Sequence, residues 1–336
     1  MSQTNINTPN LSTLPIAFLI FNRPEYTRKV FEQIRQAKPR QLFIIADGPR
    51  TPAESALCEE TRAIVADTEI DWPCEVRRNY AEKNLGLKER ISSGLNWFFE
   101  HVEEGIILED DCLPHPSFFR FAGEMLKRYR SDERVMMISG DNFLPDVHIE
   151  TDYAFSKYFP IWGWATWRRA WQQYDVQMKD WERATRNKSD SGDIKMLNEL
   201  YPEDQKYMRN HMERLFDDIV SGKTNTWDVQ WLYACLRSGG FCIIPRKNLV
   251  SNIGSEGTHS GGSNQHLATH DLYADGAIVH PATAEGAVAA GMEYDRAFYE
   301  RSFRPEPFSL KKTVIAIAVK SELLKKLYRL VTRKKA

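Results

Sequence analysis

The chain has 336 residues, 42% of them hydrophobic, and a formal net charge of −1, which suits one large globular domain or two small ones. Nine of its 45 Lys/Arg fall in residues 311–336 beside a single Glu, so the remainder is acidic, 36 basic against 45 acidic residues, which speaks against a general nucleic-acid binder. Five scattered cysteines without a CxxC pair argue against a disulfide framework, and no apolar run approaches the roughly 20 residues that cross a bilayer.

Residues 1–13 are polar and predict a flexible lead-in with no apolar leader, so a cytoplasmic or peripheral protein is expected. The continuous apolar run Leu14–Phe21 predicts a buried first strand that stops at Asn22-Arg23-Pro24. Glu25–Gln36 reads as a helix with Val30, Phe31 and Ile34 inward, and Gln41–Ala46 as a second strand stopped by Asp47-Gly48-Pro49. Strand, helix, strand implies a parallel sheet. A helix over about 53–67, a strand around Cys74–Arg78 and a helix ending near Glu100 continue the alternation.

Gly105-Ile106-Ile107-Leu108 then delivers Glu109-Asp110-Asp111 to a point shortly before Pro114. Consecutive carboxylates at the end of a buried strand supply hard oxygen ligands, suited to Mg²⁺ or Mn²⁺ shared with phosphates. An inert, solvated acidic turn is the alternative. The apolar strands end in Asn22-Arg23, Asp47 and Glu109–Asp111, and ligands of open α/β sheets sit outside the carboxyl ends of strands, so these groups should converge. Neither GxGxxG nor GxxxxGK[ST] is present, which weakens dinucleotide oxidoreductase and P-loop readings.

Beyond Pro114 the sequence predicts a helix over Ser117–Tyr129 and a strand over Val135–Gly140, followed by Asp141 and Asn142 as further candidate contacts. Residues 158–181 are dense in aromatics, with Gly163 between Trp162 and Trp164. Packing accounts for Trp167 and Trp171, whereas Gly163 and Trp164 are candidates for close backbone approach and sugar stacking. Residues 183–223 read as polar helices, Thr226–Trp231 opens another helix, Phe241–Ile244 is a short strand, and 251–264 is a Gly/Ser/His-rich loop suited to a lid.

The ordered blocks PIAFLIFNRPEYTRKVFEQI, LFIIADGP, GIILEDDCLPHPSFFRF, FPIWGWATWRRAW and NTWDVQWLYACL resemble the GT-A-fold nucleotide-sugar glycosyltransferases, within them the N-acetylglucosaminyltransferase I family and its bacterial relatives, over roughly residues 14–260. The resemblance implies a GT-A-like, Rossmann-type α/β fold: one large domain with a mostly parallel central sheet flanked by helices, and a helical C-terminal extension. It places Arg23 and Asp47 by the nucleotide, Glu109 and Asp110 by the donor sugar, and Asp111 on the metal. Asp228 becomes the base that deprotonates the acceptor hydroxyl, giving inversion, and UDP the favoured carrier. Gly163, Trp164 and His259 are placed around the donor, His259 donating to phosphate or completing the metal shell, with Glu256 as an alternative base.

Plainer readings stand beside these: Asp47 as a turn-stabilising side chain, Arg23 as a surface charge flanking a helix, Asp228 as a helix N-cap, and His259 as part of an ordinary loop. The expected organisation is a nucleotide-binding half over 14–113, an acceptor-binding half over 114–265, an irregular extension over 266–310 and a basic amphipathic helix over 311–336. That last helix suits an anionic membrane surface, or packing on its own domain. The expected activity moves a hexose or N-acetylhexosamine to a hydroxyl of a glycan or lipid-linked acceptor. Its rivals are a nucleotidyltransferase that makes nucleotide sugars and a non-catalytic glycan-binding protein.

Overall fold

The computed structural model describes residues 14–186, 192–254 and 267–303. The first half alternates as the apolar runs require: β1 (Ile16–Ile20), α1 (Pro24–Ala37), β2 (Gln41–Ala46), α2 (Pro52–Ala63), β3 (Glu75–Tyr80), α3 (Leu87–His101) and β4 (Glu104–Glu109). Pro24 opens α1 at a position where a missing N–H costs nothing, and Lys38 closes it in the left-handed region. The short β5 (Cys112–Pro114) leads to α4 (Pro116–Arg128), β6 (Val135–Ser139), β7 (Tyr153–Ser156), β8 (Trp164–Trp167) and α5 (Arg168–Trp171). Helices α6 (Lys179–Arg186), α7 (Gly192–Leu200), α8 (Lys206–Val220) and α9 (Asp228–Arg237) follow, then β9 (Phe241–Pro245), β10 (Val250–Asn252) and α10 (Ala284–Ser302).

Among the described residues, the main sheet has eight strands in the order β3-β2-β1-β4-β8-β6-β9-β7, and β10 pairs with β5 in a second, two-stranded sheet. β3, β2, β1 and β4 run parallel; β8 is antiparallel to both β4 and β6, so β6 points the same way as β4, and β9 follows β6. This is the mostly parallel, helix-flanked α/β sheet expected from the sequence.

The two-residue period of the strands divides the core. Phe18, Ile44, Ile106 and Leu108 face α1 and α4, meeting Val30, Ile34, Phe118 and Phe121. Ala17, Leu19, Phe43, Ile45 and Ile107 face α3 and α9, meeting Leu95, Phe98, Trp231 and Ala234. The outer side of α9 carries Val229, Tyr233 and Leu236 into a third cluster with Trp181, Met208 and Phe216 of α6 and α8.

Part of the segment expected to be irregular, 266–310, is the 19-residue helix α10, which docks on β7: Asp295 accepts from Ser156 Oγ and from the Lys157 amide at 3.0 Å. The Ala/Gly-rich sequence of α10 gives a weak apolar stripe, which conceals the helix from periodicity. The expected basic helix at 311–336, the lead-in at 1–13, Glu256 and His259 lie outside the described residues.

Candidate active site

Because β1, β4 and β6 point the same way, the residues that follow them share one edge of the sheet. Arg23, ahead of Pro24, is held in a fixed extended turn, and its half-buried guanidinium reaches the turn after β4. Nη1 donates to Asp111 Oδ2 at 2.8 Å, and Nη2 forms an ion pair with Asp110 Oδ1. The Phe21 amide donates to the other Asp110 oxygen at 3.4 Å. Arg23 is therefore not a free surface charge.

Asp110 is buried, and burial pushes its carboxyl up to about 6, with Asp111 adding to the rise while Arg23 opposes it. Burial also drives Glu109 up to about 8; Asp111 and Asp110 add to the rise, Arg23 opposes it, and the Asp228 charge reaches it as well. Glu109, Asp110, Asp111 and Asp228 thus form one crowded anionic field, and Arg23 is the cation bonded to it among the described residues. Near neutral pH Glu109 responds by retaining its proton, which a divalent cation nearby would displace.

Among the described residues, no three His, Cys, Asp or Glu side chains form a ready-made metal cage. The donor set suits a hard ion that takes Asp111 and fills the rest of its shell with phosphate and water oxygens. The backbone of residues 253 and 254 approaches Asp111 closely. β10 runs antiparallel to β5, the Ile253 amide donates to the Asp111 carbonyl at 2.8 Å, and Gly254 lies against the carboxylate. A Cβ at Gly254 would stand 2.6 Å from Asp111 Oδ2. Ile253 and Gly254, which begin the loop singled out for His259, therefore lie against Asp111. Gly254 belongs to the loop read from the sequence as a lid, but its contact with Asp111 is not legible there because nothing linear reveals the β5–β10 pairing.

Asp228 opens α9 without acting as its N-cap: that position belongs to Trp227, and the Asp228 carboxylate accepts from Thr226 Oγ1. It is partly exposed.

Asp47 is buried and saturated. Oδ1 accepts from the amides of Gly48 and Leu85 at 2.8 and 2.9 Å, and Oδ2 from Asn84 Nδ2 and the Gly86 amide at 3.0 and 3.1 Å. Each oxygen thus receives two donors, so the turn-stabilising role is fully expressed and direct acceptance from a base requires one of these bonds to break.

The aromatic segment differs from expectation. Trp164 is buried among Trp171, Trp227 and Trp231, with ring centroids 5.5–6.2 Å apart, so no face remains for a sugar. Gly163 has φ +67°, and a Cβ there would meet Val250 at 2.8 Å and Leu108 at 3.3 Å; its close approach is to protein. Asn142 braces the chain, its Nδ2 donating to the carbonyls of Pro245 and Arg246 at 3.0 and 2.8 Å. Asp141 is fully buried, accepts from the Trp162 amide at 2.8 Å, and is pushed well above the usual carboxylate range by burial.

No protein-family model matches the chain, and no curated protein matches it. Among solved structures it is similar to an active-site mutant of LgtC, at 12% identity and TM-score 0.30, covering 52% of this chain. The chain spans 65% of the length of that structure. Likeness at this level identifies neither family nor activity. No helix among the described residues is long and apolar enough to cross a membrane.

Proposed function

We propose that the protein is a metal-dependent, inverting glycosyltransferase that moves a hexose or N-acetylhexosamine from a UDP-sugar to a hydroxyl of a glycan or lipid-linked acceptor. The observation that carries this reading is the meeting of Arg23, Asp110 and Asp111 at the carboxyl ends of β1 and β4, within reach of the Asp228 charge. In this reading Arg23 would be the phosphate-binding cation, Asp111 the metal ligand and the partly exposed Asp228 the base.

In this reading Arg23 exchanges its carboxylate partners for phosphate oxygens, which its planar fork suits. Mn²⁺ or Mg²⁺ on Asp111 would neutralise charge gathering on the departing diphosphate. Glu109 and Asp110 bound the donor sugar. Asp47 shapes the nucleotide end by tying residues 84–86 to the β2 terminus. Asp228 takes the acceptor proton as that oxygen attacks the anomeric carbon opposite the diphosphate, so configuration inverts. Thr226 fixes the orientation of the carboxylate. The basic segment 311–336 would hold the enzyme at the inner face of an anionic membrane, near a lipid-linked acceptor.

The rivals find less support. A glycan-binding role was suggested by tryptophan density, but Trp164, Trp167, Trp171, Trp181, Trp227 and Trp231 are buried. A nucleotidyltransferase calls for a glycine-rich phosphate loop after the first strand, where this chain turns through Phe21-Asn22-Arg23 straight into α1. Incubation with UDP-sugars, Mn²⁺ and lipid or glycan extracts tests the proposal: a glycoside whose anomeric configuration by NMR is opposite to the donor's supports it. Retention, or nucleotide-sugar synthesis from sugar phosphate and nucleoside triphosphate, rejects it.

A further inference from the structure

The buried Trp164 leaves the crevice without the sugar-stacking face expected of it, and its neighbour supplies one. The antiparallel pairing of β8 with β4 matches Trp164 to Ile107, and Gly163 still lies against Leu108. Trp162 directly precedes this glycine, at the entry to β8. On the other side, β8 pairs with β6 through Trp164 and Ser139; the Gly140 amide donates to the Gly163 carbonyl at 2.8 Å, and Asp141 Oδ2 accepts from the Trp162 amide at 2.8 Å. Trp162 is thus tied by its amide to the turn after β6, one residue before the glycine that lies against Leu108 of β4.

Regular alternation would put Trp162 on the same face as Trp164. The left-handed Gly163 cancels it: Trp164 packs in the α3–α9 cluster, whereas Trp162 packs against the opposite cluster, which includes Leu108, Cys112 and Val250. Trp162 remains half-buried, and its ring is braced by Phe143 in a T-shaped contact at 5.0 Å; Phe143 in turn stacks on Phe298 at 6.4 Å.

Resting on the transferase reading, we propose that Trp162 is the face on which a pyranose ring of the acceptor lies. Sheet order supports the acceptor over the donor. Arg23 and Asp47 follow β1 and β2 on one side of β4, whereas Trp162 precedes β8 on the other. A donor anchored by its nucleotide at β1 and β2 and by its diphosphate at β4 directs its anomeric carbon toward β8. An indole offers a flat apolar face to the C–H groups of a pyranose, and Asp141 and Phe143 hold that face in place before the sugar arrives.

The test uses the full chain with its nine tryptophans fluorinated, the Trp162 ¹⁹F signal being assigned by its loss in Trp162→Phe. Methyl glycosides of glucose, galactose and N-acetylglucosamine are titrated with and without UDP and Mn²⁺. The Trp162 signal should shift saturably with at least one glycoside. Trp162→Ala should weaken that glycoside about tenfold, Trp162→Phe by less than about threefold, and neither should change UDP affinity in Mn²⁺ by more than about twofold. A silent Trp162 signal across the panel, or wild-type glycoside binding by Trp162→Ala, overturns the proposal. A shift with UDP-sugars but with no glycoside assigns the ring to the donor and also overturns it. Wild-type protein that fails to bind UDP with Mn²⁺ rejects the transferase reading instead, and a responding Trp162 would then stand as a sugar site without transfer.

Discussion

Arg23 Nη1 lies 2.8 Å from Asp111 Oδ2 while Nη2 pairs with Asp110, so one guanidinium bolts the turn after β1 to the turn after β4. The same carboxylate oxygens are those a metal and its diphosphate would claim, so ligand binding must redistribute this contact. Arg23→Ala leaves the buried Asp110 and neighbouring Asp111 without their cation and is expected to cost on the order of 2 kcal/mol in the metal-free protein. Denaturant titration checks this, and the cost should shrink from pH 8 to pH 6, where the carboxyls can protonate. An unchanged midpoint would remove the contact from the structural account.

Gly254→Ala introduces a Cβ where Asp111 Oδ2 would be only 2.6 Å away, at the stem of the loop after β10. Fold stability should change little, because the stem can shift, whereas Mn²⁺-dependent UDP affinity should fall about tenfold. Gly163→Ala should behave oppositely. With φ +67° and Val250 at 2.8 Å it should cost about 2–3 kcal/mol of stability. Parallel melting curves and UDP titrations on the two variants separate a ligand-side glycine from a packing glycine.

Asp228→Asn is expected to lower kcat by about 10²- to 10⁴-fold while donor affinity and melting temperature stay close to wild type, because Asp228 does not cap α9. Single-turnover rates beside UDP binding would show this split. A large loss of stability with intact chemistry would return Asp228 to a structural role.

Glu109 at about 8 and Asp110 at about 6 are raised chiefly by burial, as is Asp295 at about 6. Their unfolded values lie near 4, so the folded metal-free chain holds more protons than the unfolded chain between roughly pH 4 and 8. The stability these groups contribute is therefore full below that window and is lost as pH rises through it. Without metal, Tm should fall from pH 7 to pH 8.5, and Glu109→Gln should remove most of that slope. Binding of Mn²⁺ with UDP should release about one proton near pH 7, read by calorimetry in buffers of different ionisation enthalpy.

The strands and helices of residues 14–113 were legible because buried parallel strands are continuous apolar runs, and their polar stops, Arg23, Asp47 and Glu109–Asp111, mark the sheet edge without any knowledge of strand order. Asp228 was legible as a position, but its sequence context fitted a cap as well as a base; α9 begins at Asp228 itself, which leaves the cap position to Trp227. The Trp162–Trp164 segment was misread because a linear pattern cannot show that β8 is inserted between β4 and β6, or that Gly163 turns its two neighbours to opposite faces. The approach of Gly254 to Asp111 was invisible for a related reason: it depends on β10 pairing with β5, more than a hundred residues earlier.

The central claim is that Asp111, beside Arg23, holds a cation shared with a nucleoside diphosphate. Calorimetric titration of UDP, GDP, CDP and dTDP into wild type and Asp111→Asn, each with and without Mn²⁺, tests it most directly. The account predicts saturable binding of UDP that requires Mn²⁺ and falls at least about a hundredfold in Asp111→Asn. Binding that ignores both the metal and the substitution, or no binding by any of the four, would contradict it.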